Sequence, residues 1–129
     1  MDRTIENGLL RDCQENQITI IAFSPLARGI HNIRERDPKN VLGRIAELTG
    51  KTEAQVSLNW CVEHESVVAI TTASSMEHVT EACGASGWRL PPDHIRVLEE
   101  GIGFRRRGRS EAALRRVARG ALQRFGYSQ

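Results

Sequence analysis

Apolar and polar positions along the chain follow two rhythms, one of period near 3.6 and one of short continuous apolar runs. From Asp2 to Asn16, Ile5, Leu9, Leu10 and Cys13 recur at helical spacing, which predicts a helix leaving at Asn16-Gln17. Ile18 to Phe23 then carries five apolar residues in six positions, three of them isoleucine. So short a β-branched run reads as a strand buried on both faces. Ser24-Pro25 ends it, because proline brings no N–H to a ladder. Leu26-Ala-Arg-Gly29 is the loop leaving that strand, at the end where α/β proteins bind ligands. Gly29 to Asn40 is polar, charged and aperiodic apart from Ile30 and Ile33, and reads as a loop.

Val41, Leu42, Ile45, Ala46 and Leu48 restore helical spacing, with Gly50 placed for a left-handed exit. Thr52-Glu-Ala-Gln55 matches a capping box, in which threonine accepts from the third N–H and glutamine reaches back to the cap. The helix it opens, to about Glu63, is apolar over most of its surface and is expected to be largely buried. Val67 to Thr71 reads as a second buried strand, Ser74-Ser75 as an N-cap, and Met76 to Cys83 as a helix closed by Gly84. Leu90-Pro-Pro-Asp93 starts another, with Ile95, Val97, Leu98 and Ile102 on its apolar side. Helix, strand, two helices, strand, helix, helix is an α/β order, which implies a parallel sheet with helical crossovers.

With 129 residues, 40% of them apolar and 26% charged, the chain has the size and composition of one globular domain. No apolar run approaches the roughly 18–20 residues of a membrane span, and Met1-Asp-Arg-Thr-Ile-Glu lacks a secretory core, so a cytoplasmic location is expected. Cys13, Cys61 and Cys83 sit in helical surroundings and are expected to be free, buried thiols. Charge is uneven. Phe104 to Gln129 holds eight arginines and one glutamate, net +7, against −5 for the remainder. Two parts follow: a body over residues 1–103 and an arginine-rich tail over 104–129. In the tail, Ser110 caps a predicted amphipathic helix from Glu111 to Phe125.

Three segments in order resemble the carboxyl-terminal third of the aldo-keto reductase family. Ala22-Phe-Ser-Pro-Leu-Ala-Arg-Gly29 resembles its strand-seven motif. Lys51-Thr-Glu-Ala-Gln-Val-Ser-Leu-Asn-Trp60 resembles its Thr-x-x-Gln-Val-x-Leu-x-Trp helix. Val68-Ala-Ile-Thr-Thr-Ala-Ser-Ser-Met-Glu-His-Val-Thr-Glu81 resembles strand eight and its phosphate-binding loop. The resemblance spans about residues 3–102. It implies part of a TIM (β/α)8 barrel: the last two β/α units and the preceding helix, with an extra carboxyl-terminal basic helix. It also implies hydride transfer between NADP or NAD and a carbonyl compound.

The resemblance places Phe23 against the nicotinamide, and Ser24, Leu26 and Arg28 over the nicotinamide end and the pyrophosphate. Thr72 and Ala73 stand where a lysine and a serine usually grip the adenosine phosphate. His78 stands where an arginine often packs on the adenine, and Glu81 matches an adenine-side acid, while Ala82 replaces the usual asparagine. These departures weaken the preference for NADP over NAD, since a hydroxyl at Thr72 replaces an ammonium. The family's catalytic Asp, Tyr, Lys and His belong to the amino-terminal half of its barrel. The single tyrosine here, Tyr127, lies in the tail, and Lys39 and Lys51 are not at strand ends. A complete barrel needs about 250 residues, so the chain reads as a segment without a catalytic group, and it is expected to be inactive alone.

Simpler readings stand beside these. Phe23 is also what a core aromatic at a strand end looks like, and Thr72 to Ser75 are ordinary capping residues as well as a phosphate cradle. Cys61 and His64 are one helical turn apart but lack further ligands for a metal, and Glu99-Glu100 reads as a solvated helix face. For the tail, docking on the body or on a second subunit, or partial disorder, is favoured over phosphate contacts with nucleic acid or anionic lipid, since Phe125 is the one aromatic within its helix. The partners expected are the missing amino-terminal barrel half or self-association through exposed sheet edges, with nucleic acid disfavoured. The alternative to a reductase segment is a non-catalytic assembly module using those edges and the tail.

Overall fold

Thr52 begins the most strongly specified helix of the chain. Its hydroxyl accepts from the Gln55 N–H at 3.2 Å, and Gln55 Oε1 accepts from the Thr52 N–H at 3.1 Å. Two of the donors left over at a helix start are thereby paired, as the sequence predicts. The computed structural model describes residue 6 and residues 8–103; the tail's predicted helix, its arginine run and the first residues of the amino-terminal helix lie outside them. The elements are α1 Leu9–Glu15, β1 Ile20–Phe23, α2 Ile30–Arg34, α3 Val41–Thr49, α4 Glu53–Val62, β2 Val67–Ile70, α5 Met76–Cys83 and α6 Pro92–Gly101.

The strands pair in parallel, Ile20 opposite Val67 through Phe23 opposite Ile70. The core lies between helices more than in the sheet. Leu42 and Ile45 of α3, Val56 and Trp60 of α4, and Leu98 of α6 form one cluster, against which Ala69 of β2 packs. α4 is buried from Val56 to Cys61, in line with its apolar character.

Three expectations need correction. The strands are not buried on both faces. Ile21 and Phe23 are 62% and 83% exposed, and Val68 and Ile70 51% each. Side chains alternate across a strand, and the helical layer covers only the face of Ala69; nothing among the described residues covers the other. The segment after Gly29 is not all loop. α2 forms there because Ile33 inserts into the core at 2% exposure. One turn with two apolar residues is too short to show a period. Lastly, Cys13 and Cys61 are buried thiols, but Cys83 is exposed.

Two polar side chains that the sequence pattern did not single out hold the helical layer together. Asp37, 6% exposed, accepts from the Val41 N–H at 2.8 Å and the Leu42 N–H at 2.7 Å, so a carboxylate meets the positive end of α3. Asn59, 1% exposed, donates to the carbonyls of Ala85 and Trp88 and accepts from the Leu90 N–H, fastening the turn before α6 onto α4.

Candidate functional site

The two parallel strands end side by side, and their carboxyl ends open onto one cavity of about 380 Å³. Phe23, Ser24, Leu26, Arg28 and Thr72, five residues marked from the sequence, line it together. Ile70 and Thr71, which the sequence pattern assigns to the second strand, complete the walls with Pro25 and Gly29. The family resemblance marks those five residues; position at a strand terminus is the signal that also finds their neighbours, because in parallel sheets that rim is where a ligand meets backbone and side chain at once.

The loop after β1 is shaped by backbone conformation. Ser24, Ala27 and Arg28 have positive φ of 53°, 54° and 68°. Left-handed backbone costs a residue with a Cβ about 1–2 kcal/mol, and such residues gather at ligand sites. Here the surroundings hold them. The Ala27 N–H donates to Ser24 O at 2.9 Å, the Gly29 N–H to Leu26 O at 2.8 Å, and Asn32 Nδ2 to Ala27 O at 3.1 Å. The turn carries the exposed guanidinium of Arg28 to the cavity wall. Pro25 is buried below it and stops the ladder.

Opposite this loop, Thr72 and Ala73 are exposed in the connection from β2 to α5. Ser75 caps α5, its hydroxyl accepting from the His78 N–H at 3.3 Å. Ser74 Oγ lies 3.4 Å from His78 Nδ1. The capping reading of Ser75 is therefore satisfied in the structure. Glu77 shares this helix start. Its own backbone N–H, then the Ser75 hydroxyl, hold its carboxyl below the ordinary carboxylate range. Ala73, His78 and the half-buried Glu81 do not line the cavity. Glu81 serves the fold through its carbonyl, which accepts from Gln55 Nε2 at 3.1 Å.

Burial pushes the Cys61 thiol up to about 12, the His64 ring stands edge-on to Trp60, and no cluster of metal-binding side chains occurs among the described residues. Among the described residues, no helix is long and apolar enough to cross a membrane.

Residues 1–102 match the family model described as the aldo/keto reductase family. The chain belongs to the aldo-keto reductase family. It is 39% identical over 99 residues to the methylglyoxal reductase YeaE of Escherichia coli, covering 76% of this chain and 34% of that protein. It is 37% identical over 92 residues to the NAD(P)H-dependent 6'-deoxychalcone synthase of Glycine max, covering 67% of this chain and 28% of that one. Among solved structures, the thermostable aldo-keto reductase Tm1743, determined with the inhibitor epalrestat, superposes with a TM-score of 0.69 at 35% identity, covering 77% of this chain and 35% of that one. An aldo-keto reductase from Klebsiella pneumoniae in complex with NADPH gives a TM-score of 0.68 at 31% identity, covering 82% of this chain and 37% of that one. The chain thus spans about a third of the length of the relatives it matches.

Proposed function

We propose that this chain is the carboxyl-terminal segment of an NAD(P)(H)-dependent aldo-keto reductase, the last two β/α units of its barrel, and forms one wall of the nicotinamide cofactor site. The convergence of Phe23, Ser24, Leu26, Arg28 and Thr72 on a single cavity carries this reading. The residues suit such a cofactor. Phe23 offers a flat apolar ring at the strand end, and Arg28 offers a permanent positive charge with several N–H donors for a pyrophosphate. Ser24 and Thr72 add hydroxyls. The family resemblance assigns Ala73, His78 and Glu81, which lie outside the cavity, to the adenosine end.

A bound nicotinamide supplies or accepts hydride. Carbonyl reduction also needs a proton donor within hydrogen-bond reach of the oxygen. Among the described residues, no lysine or tyrosine lines the cavity. In this reading the chain binds and orients, and the proton-handling groups come from the remainder of the barrel.

Titrating the chain against NADPH and NADH while following reduced-nicotinamide fluorescence tests the reading. Enhancement or a blue shift is expected with both cofactors, and Arg28→Ala is expected to weaken both about tenfold, the loss of one charged contact. No fluorescence change at millimolar cofactor overturns the reading and favours the assembly module, for which the uncovered face of Ile21, Phe23, Val68 and Ile70 is the supporting observation.

A further inference from the structure

We propose that Asn32 is a positioning residue for the cofactor wall: its side-chain amide holds the Ala27–Gly29 turn in the conformation that brings Arg28 to the cavity. This role rests on the cofactor reading above and adds to it a residue that does not itself line the cavity.

The turn does not hold itself. Ala27 and Arg28 are left-handed in succession, at φ 54° and 68°, and Gly29 follows at φ 143°. Residues with a Cβ avoid the left-handed region when free to choose. The bonds from Ala27 N–H to Ser24 O and from Gly29 N–H to Leu26 O lie within the loop and move with it. Asn32 grips the turn from α2, and at two points. Its Nδ2 donates to Ala27 O at 3.1 Å, and its backbone N–H donates to Gly29 O at 3.1 Å. The two carbonyls bracket Arg28, so the residue that faces the ligand is fixed on both sides by one that does not.

Asn32 can serve as an anchor because its own helix is anchored. Ile33, beside it, is 2% exposed in the core, and Ile30 packs against the same cluster. The chemistry also fits. A carbonyl accepts only, so the residue at 32 must supply an N–H, and an amide does so without adding a charge beside Arg28. His31 narrows the turn's freedom from the other side. Its ring lies on Gly29, where a Cβ would stand 2.5 Å from His31 Cε1 and 2.7 Å from Nδ1. A turn held in this way meets a pyrophosphate already shaped, and a ligand need not order it on binding.

Replacing the amide with an apolar group of similar size tests the role. Asn32→Leu is expected to speed amide exchange at Ala27 and Gly29 about fivefold, with the core amide of Val56 unchanged. It is expected to weaken NADPH about fivefold, as for a turn that is competent one time in five. In an Arg28→Ala background the same substitution is expected to bring no further loss, because Asn32 acts through Arg28. Asn32→Ala provides the same readouts if the leucine variant does not fold. Unchanged exchange at Ala27 and Gly29 overturns the proposal, and so does an equal loss of NADPH affinity with and without Arg28. If the natural chain binds no NADPH, the cofactor reading falls, and the exchange rates alone decide whether Asn32 holds the turn.

Discussion

Phe23 stands directly across the parallel ladder from Ile70, and both side chains lie on the sheet face that no helix among the described residues covers. The pair closes the apolar face just below the cavity rim, so one ring takes part in two surfaces. Cross-strand pairs of this kind stabilise a sheet when something covers them; here they remain open to solvent.

Truncating this face is therefore expected to cost the isolated chain little. Ile21→Thr with Val68→Thr should shift stability by less than about 1 kcal/mol and lower the binding of an apolar dye. Leu42→Ala, at a position 1% exposed, should cost about 2–5 kcal/mol. Urea unfolding of the three proteins checks the contrast, and equal losses would contradict the one-sided burial.

Asn59 makes three hydrogen bonds from a fully buried position. Asn59→Ala leaves two carbonyls and one N–H without partners, each worth about 1–3 kcal/mol. A loss on the order of 3 kcal/mol is expected, with early amide exchange in residues 85–90. A loss under about 1 kcal/mol would show the turn to be held by other contacts.

Asp37→Ala removes both acceptors at the start of α3 and is expected to cost about 1–2 kcal/mol. Asp37→Asn, which keeps an acceptor and loses the charge, should fall between. Thermal unfolding of the three proteins gives the order.

Burial raises the Cys61 thiol from its ordinary value of 9.0 to about 12. The unfolded chain loses this proton near its ordinary value and the folded chain holds it, so unfolding is favoured as pH rises from about 9 to about 12. Stability from this group is fully present below pH 9. Cys61→Ala should flatten the alkaline part of the stability curve. At pH 8, alkylation of the native protein should reach the exposed Cys83 and spare Cys61.

Local chemistry was legible from residue order. The Thr52–Gln55 box, the Ser75 cap, the left-handed exit at Gly50 and the stop at Ser24-Pro25 each depend on a few neighbours, and each stands as read. The strand-end cluster was legible as well: residues that close two parallel strands meet at one rim. What the pattern could not show is what lies above a face. Ile18 to Phe23 is equally apolar whether one side or both is covered, so only the arrangement of helices around the pair shows Ile21 and Phe23 exposed. α2 exists because Ile33 finds a core, and Asp37 and Asn59 matter because distant backbone comes within reach of their side chains. Sequence determined the elements other than α2, and their caps, because those rest on contacts a few residues apart; the rim joins residues 23–29 to residues 70–72 and was marked by the family resemblance. Tertiary structure alone decided which surfaces are buried, because burial depends on what packs there from elsewhere in the chain.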